Sequence, residues 1–387
     1  MRFPRTAFPL ALAAFLGGCG SSTDPSSGLT IMVSPGMLGS FSGHPGFHQY
    51  NAMVTDAGGA IRSNLILDWS LSPSSPGIHV LPSGLVGVLA TAAAGDYTVR
   101  ASTGGATGTA LLRVLPPPTG KLYFTSGGGT AAFYVKDFSV TGDALAISIS
   151  TGTITGFDLD PVAGIAVLGR GIAPNADIFR MNLDGSGVVK LTSDGANNQS
   201  PVFHPLTGEI YFSRRAPGDT VTQIWKMGRD GSGLAQVTTG DQNKRSPAIS
   251  PDGQRLAWAE SYPGPNNEIV TATIQGGNPV RLTDRPGNDS EPYWFSNSRV
   301  TWTGMVGSNL EIFAADLPGS GEPVNLTQHA DPDTRPARGC APGTLTFLSR
   351  RAGEYFNSYQ LDLSTGLVTK YVLPTDWAMG AALRVCP

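Results

Sequence analysis

Prolines at positions 201, 247, 292 and 336 are separated by 46, 45 and 44 residues, and they do not keep this register alone. The pairs Leu191-Thr192, Val237-Thr238, Leu282-Thr283 and Leu326-Thr327 step by the same 46, 45 and 44. Asp177-Ile178, Gln223-Ile224, Glu268-Ile269 and Glu311-Ile312 step by 46, 45 and 43. Three anchors in one register define a repeat. A period of about 40 to 50 residues carrying four short strands is the pattern of a propeller blade, a unit that buries its faces only by stacking on its neighbours.

One unit shows the layout. An inner strand from Ser246 to Ser250 is followed by the turn Pro251-Asp252-Gly253, a second strand from Arg255 to Ala259, a third from Ile269 to Ile274 and an outer one from Pro279 to Thr283. Turns such as Asp184-Gly185-Ser186-Gly187 supply the positive φ that tight connections need. The 50 glycines and 30 prolines among 387 residues fall at these regularly spaced turns, which favours an all-β chain over a disordered one. The Ser250-Pro251-Asp252-Gly253 and Asp184 to Gly187 turns, with Asp230 to Gly233, resemble the TolB-type propeller repeat. That resemblance implies protein partners of the cell envelope, although TolB-type proteins carry an α/β domain before the propeller, which this sequence lacks.

Full units start near Thr155, Ser200, Ser246, Glu291 and Arg335. The segment from Lys121 to Thr151 lacks an inner strand, and Leu383-Arg384-Val385-Cys386-Pro387 aligns with the inner-strand segment around Cys340. The expected domain, residues 121–387, is therefore a six-bladed β-propeller closed by the C-terminal strand, an arrangement that removes an open sheet edge.

Ahead of it, short alternating runs between Leu29 and Leu115 predict a β-sandwich, with strands at Leu29 to Val33, Gln49 to Val54, Leu65 to Leu71, Gly84 to Ala90, Tyr97 to Ala101 and Thr109 to Leu115. Asp56-Ala57-Gly58-Gly59, Trp69 and Ala94-Gly95-Asp96-Tyr97 resemble the group 2 bacterial Ig-like domain, which implies a spacer or adhesion module with Trp69 on a middle strand. Pro116-Pro117-Pro118 opens a stiff linker, residues 116–120.

Arg2 and Arg5 precede an apolar run from Ala7 to Leu16, too short to span a bilayer, so residues 1–18 read as a signal peptide. Leu16-Gly17-Gly18-Cys19 resembles the lipobox of bacterial lipoproteins. The resemblance implies cleavage before Cys19 and its acylation, a membrane anchor of more than one chain. Residues 19–28 are a Ser-rich tether, and Gly20 in place of an Asp points to the outer membrane. With Cys19 acylated, Cys340 and Cys386 remain, at equivalent inner-strand positions of the last and first blades, either as a disulfide across the seam or as two separate thiols.

Charged residues make up 14% of the chain and the net charge is -3, which leaves no basic stripe for nucleic acid. No nucleophile elbow, Cys-x-x-Cys motif or paired zinc-type histidines occur, and His44, His48 and His79 lack ligand spacing, so no catalytic residue, metal or cofactor is expected. The single asparates of the turns lack the ligand density of a calcium site. The residues entering each inner strand, Gln199, Lys244, Arg245, Asp289, Glu291, Asp333 and Arg335, with Trp377 before the closing strand, are the candidate recognition rim. The leading expectation is a non-catalytic envelope lipoprotein that binds a protein or glycan partner through the channel face of the propeller. A polysaccharide lyase, with His204 as its candidate base, and a passive adhesin are the alternatives.

Overall fold

The computed structural model describes residues 21–22, 28–126, 131–140, 143–150, 153–172, 175–264, 266–318, 322–351, 353, 355–371 and 379–386. Cys19 and Trp377 lie outside these residues. Among them every regular element is a strand, and no helix is long and apolar enough to cross a membrane. The chain divides into two compact units, Met1–Pro116 and Pro117–Pro387.

In the first unit, Met37–Phe41, Ala106–Leu115, Gly95–Thr103 and Asp68–Ser72 lie side by side, with the first pair parallel and the rest antiparallel. Thr30–Ser34 pairs with Asn51–Thr55, and Leu85–Val88 lies between Gly46–Gln49 and Ile78–Val80. Alternation places Ile31, Val33, Val54, Val86, Val99 and Leu112 in one core. The strands Met37–Phe41, Gly46–Gln49 and Ile78–Val80 lie outside the runs expected from the sequence. Trp69 corrects an expectation. Among the described residues its strand pairs only with Gly95–Thr103, so it lies at a sheet edge rather than in the middle, half-buried against the core.

Among the described residues the second unit contains five separate four-stranded antiparallel sheets and a sixth run of four antiparallel strands, Asp333–Arg338, Thr344–Ser349, Asn357–Asp362 and Val368–Lys370, counted below as sheet six. Sheet one holds Lys121–Ser126, Ala131–Asp137 and Leu145–Ser150, and its fourth strand is Met379–Val385 from the end of the chain. Sheets two to six follow in order, with inner strands Thr153–Asp160, Asn197–Phe203, Lys244–Ile249, Asp289–Trp294 and Asp333–Arg338. Each inner strand packs against the inner strand of the next sheet, and Met379–Val385 packs against both Thr153–Asp160 and Asp333–Arg338.

The apolar core is divided in the same way. Phe133 of sheet one meets Phe157 and Leu168 of sheet two, Ile178 meets Phe212, Tyr211 meets Trp258, and Ile269 meets Trp302. Ile312 then meets Phe347, and Leu348 meets Phe124 and Met379 of sheet one. Strands buried on both faces read as continuous apolar runs, and Ile210-Tyr211-Phe212 is an example. Each fully buried side chain of this kind contributes about 1.5–3 kcal/mol of transfer free energy.

The repeat anchors now have a physical cause. In four sheets the Thr of the Leu-Thr or Val-Thr pair folds back on the third strand, where its hydroxyl accepts from a backbone amide. Ile178, Ile224, Ile269 and Ile312 donate to Thr192, Thr238, Thr283 and Thr327 at 3.0, 2.9, 2.9 and 3.0 Å. The same hydroxyls donate to Asp177, Gln223, Glu268 and Glu311 at 3.0, 2.9, 2.5 and 2.5 Å. Each hydroxyl thus satisfies a backbone amide of the third strand and ties it to the side chain just before it, a requirement that holds the residues in register. Cys340 and Cys386, each just past the end of its strand, are joined by a disulfide with Cα atoms 5.3 Å apart.

Candidate functional site: the mouth of the inner-strand cavity

The inner strands converge on a cavity of about 220 Å³ lined by residues of five inner strands and of Met379–Val385. Its shape comes from one device used repeatedly. In sheets three to six the inner strand carries a bulge, between Gln199 and Val202, Arg245 and Ala248, Ser290 and Tyr293, and Thr334 and Ala337. A residue in left-handed conformation sits in each bulge, immediately before the proline. Ser200, Ser246, Glu291 and Arg335 have φ of 50, 52, 52 and 56°. Such a conformation is rare for residues with a side chain and costs about 1–2 kcal/mol each. Proline has no amide hydrogen to lose from the ladder at the bulge, and the bulge re-aims the preceding residue at the cavity.

Sheet two uses Gly156 at the equivalent position, where a Cβ would lie 3.0 Å from the Ser200 Cα. Hydroxyls of neighbouring sheets hold the others. Ser246 N donates to Ser213 Oγ at 3.0 Å and Arg335 N donates to Thr303 Oγ1 at 2.9 Å. Thr303 Oγ1 itself donates to Glu291 Oε2 at 2.9 Å, and Arg335 Nε is 3.0 Å from Glu291 Oε1. The cavity lining therefore includes three hydroxyl residues, Thr155, Ser200 and Ser246, and one half-exposed ion pair among prolines and alanines.

The seven described candidate rim residues separate into layers. Glu291 and Arg335 line the cavity, together with Ser200 and Ser246. Gln199 is half-buried and its amide donates to Asn197 Oδ1 at 3.1 Å, while Arg245 is exposed. Lys244, Asp289 and Asp333 are buried, at 6, 0 and 0% exposure, and so do not belong to an accessible rim. With Asn198 they occupy one register position two residues before the bulge residue, where the side chain turns into the sheet stack. Each has an internal partner: Lys244 Nζ is 3.7 Å from Glu260, Asp289 is 2.7 Å from Arg285 Nη2, and Asp333 pairs with Arg351. Burial pushes the Asp289 and Asp333 carboxyls up, against the opposing pull of their arginines. Sequence spacing locates the loop, but the difference between the buried position and the lining position two residues on depends on the bulge.

Deeper along the inner strands, Asp158 accepts from Phe203 N at 2.8 Å, and burial pushes its carboxyl up to about 6. Burial likewise pushes Tyr293 up to about 12. His204 is buried beside Tyr211, with Nε2 3.1 Å from Gly253 O and Nδ1 accepting from Leu206 N and Thr207 N at 3.2 Å. Both ring nitrogens are thereby engaged in holding turns together, and the side chain is not directed at the cavity lining. In the first unit His79 is exposed, His44 contacts Ser42 O, and burial lowers His48 to about 4. No group of three metal-ligating side chains occurs among the described residues.

No protein family matches this chain, and no curated protein does. Solved structures do. TolB from Acinetobacter baumannii superposes with a TM-score of 0.56 at 14% identity, covering 80% of this chain and 82% of that one. A putative TolB from Agrobacterium tumefaciens gives 0.51 at 15% identity over 65% and 87% of the two chains. A chain of a nidogen/laminin complex gives 0.52 at 15% identity over 68% and 97%. At these identities the likeness establishes the β-propeller fold of the second unit and nothing about its ligand.

Proposed function

We propose that this chain is a non-catalytic lipoprotein of the cell envelope: an acylated Cys19, a tether, an Ig-like spacer, and a six-bladed propeller that binds a protein or glycan partner at the mouth of its channel. The supporting observation is the convergence of Ser200, Ser246, Glu291 and Arg335, all in left-handed conformation, on one cavity. Backbone strain repeated at one place, where an extended strand would cost nothing, is expected where side chains must be aimed at something. The TolB-type turns support the envelope assignment, and the engagement of both His204 nitrogens supports binding over glycan cleavage. An adhesin acting through the first unit alone leaves the strained ring without a purpose.

The test is site-specific photocrosslinking in intact cells from position 335, with position 206, whose Leu is 71% exposed on a distant turn, as control. A defined envelope component captured at 335, absent at 206 and lost in Glu291→Ala, is the expected result. Equal capture at both positions overturns the channel reading, and release of Cys19→Ser from membranes tests the anchor separately.

A further inference from the structure

Sheets two, three, five and six share a construction that sheet four breaks. In each of the four, an arginine guanidinium lies over an aromatic ring of the third strand: Arg170 over Phe179 at 4.2 Å, Arg214 over Trp225 at 5.2 Å, Arg285 over Phe313 at 3.8 Å and Arg351 over Tyr359 at 5.5 Å. These rings share one register position, paired across the sheet with Leu168, Phe212, Trp302 and Phe347. In sheet four the same position, opposite Trp258, is Val270. The second-strand site filled by Arg214 in sheet three is Glu260, as shown by the pairings Asn198 with Arg214 and Lys244 with Glu260. The third-strand ring and the guanidinium over it are both missing, Arg281 of the outer strand lies over Tyr262 instead, and a cavity of about 550 Å³ is lined by these residues, larger than the one at the inner strands.

The walls of this cavity set the chemistry of a guest. Lys244 Nζ is almost wholly buried, with Gln242 O at 3.3 Å and Glu260 Oε2 at 3.7 Å, long contacts for an ammonium with three hydrogens to donate. Glu260 Oε2 accepts from Trp258 Nε1 at 2.8 Å. Arg281 spans Glu268 and Asp284 at 2.8 and 2.5 Å and covers the Tyr262 ring at 4.3 Å. Each cation faces its own carboxylate, and Asp241 stands exposed at the rim. An anionic guest has to displace Glu260 from Lys244 and a cationic guest has to displace Lys244, each leaving a desolvated charge uncompensated. A neutral guest with several hydroxyls meets neither cost: it accepts from the ammonium, donates to the carboxylate, and sets its C–H groups against the cavity wall at Val270.

We propose that the vacated arginine–aromatic slot of sheet four is a binding site for a neutral saccharide unit, held between Lys244 and Glu260 and separate from the channel mouth. The site does not depend on the channel reading.

The full chain is titrated with glucose, N-acetylglucosamine and lactose, with glucuronate and glucosamine as charged controls, following tryptophan fluorescence and calorimetric heat. Saturable binding of a neutral sugar with Kd on the order of millimolar is expected, weakened at least about tenfold in Val270→Phe, which restores the ring of the other sheets, and in Glu260→Gln, which keeps shape and removes charge. Thermal melts report whether each variant is folded, and Glu260→Gln decides if Val270→Phe is not. No saturation by any neutral sugar to about 50 mM, affinity unchanged in a folded variant, or preference for a charged control overturns the proposal.

Discussion

Arg335 Nε lies 3.0 Å from Glu291 Oε1, so two strained residues of adjacent inner strands are tied to one another across the cavity mouth. The pair is partly exposed, with side-chain exposures of 41 and 29%, and its own contribution to stability is small, at about 0–1 kcal/mol. The strain is the larger quantity, and it can be measured. Ser246→Gly is expected to be neutral or stabilising by up to about 1 kcal/mol, whereas Ser246→Val is expected to lose about 1–2 kcal/mol, because a β-branched side chain tolerates positive φ least. Urea denaturation of both variants reads the difference, and equal effects would show that the bulge is not strained.

Gly304 leaves room for the buried ion pair of sheet five. A Cβ there would collide with Arg285 Nη2 and lie 2.8 Å from Asp289 Oδ1 and 2.7 Å from Phe313 Cδ2. Gly304→Ala therefore expels the guanidinium from a carboxylate of zero exposure, with an expected loss on the order of 3 kcal/mol. Chemical denaturation at pH 7 measures it.

Thr283 joins the amide of Ile269 to the buried carboxylate of Glu268 at 2.9 and 2.5 Å. Thr283→Val keeps the shape, orphans the Ile269 amide and strips one oxygen of Glu268 of its hydroxyl partner, for an expected loss of about 2 kcal/mol, while Thr283→Ser keeps the hydroxyl and loses less than about 1 kcal/mol. The two midpoints in urea, compared at equal slope, test whether the repeat's threonines are retained for their hydroxyls.

Asp158 carries a folded-state carboxyl raised by burial to about 6, above its ordinary value of 3.8. Between those values the folded chain holds the proton more tightly than the unfolded one. The favourable contribution is thus fully present below about pH 3.8 and is lost as pH rises through about 6. Asp158→Asn, whose amide oxygen still accepts from Phe203 N, is expected to stabilise the protein more at pH 7.5 than at pH 4.5 by about 1–2 kcal/mol. An equal effect at the two pH values would show that Asp158 titrates normally.

The disulfide between Cys340 and Cys386 ties sheet six to the strand that completes sheet one, closing a separation of 46 residues. Loop-closure entropy assigns about 3–4 kcal/mol to it, which the Cys340→Ser, Cys386→Ser double variant is expected to lose. Non-reducing mass mapping that found both thiols free in the mature protein would remove the basis of this expectation.

Much of the second unit is legible in the sequence because its units must stack on copies of themselves. Every copy then has to place a proline, a threonine hydroxyl and a third-strand acceptor at the same points, and the 46, 45 and 44 residue steps record that requirement. The fold class, the four-stranded unit and the pairing of the chain's end with Lys121–Ser126 follow from it. What the repeat could not give is direction. Lys244, Arg245 and Ser246 are consecutive, yet one is buried in an ion pair, one is exposed and one lines the cavity, because a bulge breaks the alternation between them. The slot in sheet four was equally hidden, since Glu260 and Val270 become informative only when set against Arg214 and Trp225 in the neighbouring sheet. Local chemistry sets which strands form and where they turn. Which side chains meet across sheets is a long-range matter of packing, and only the tertiary structure decides it.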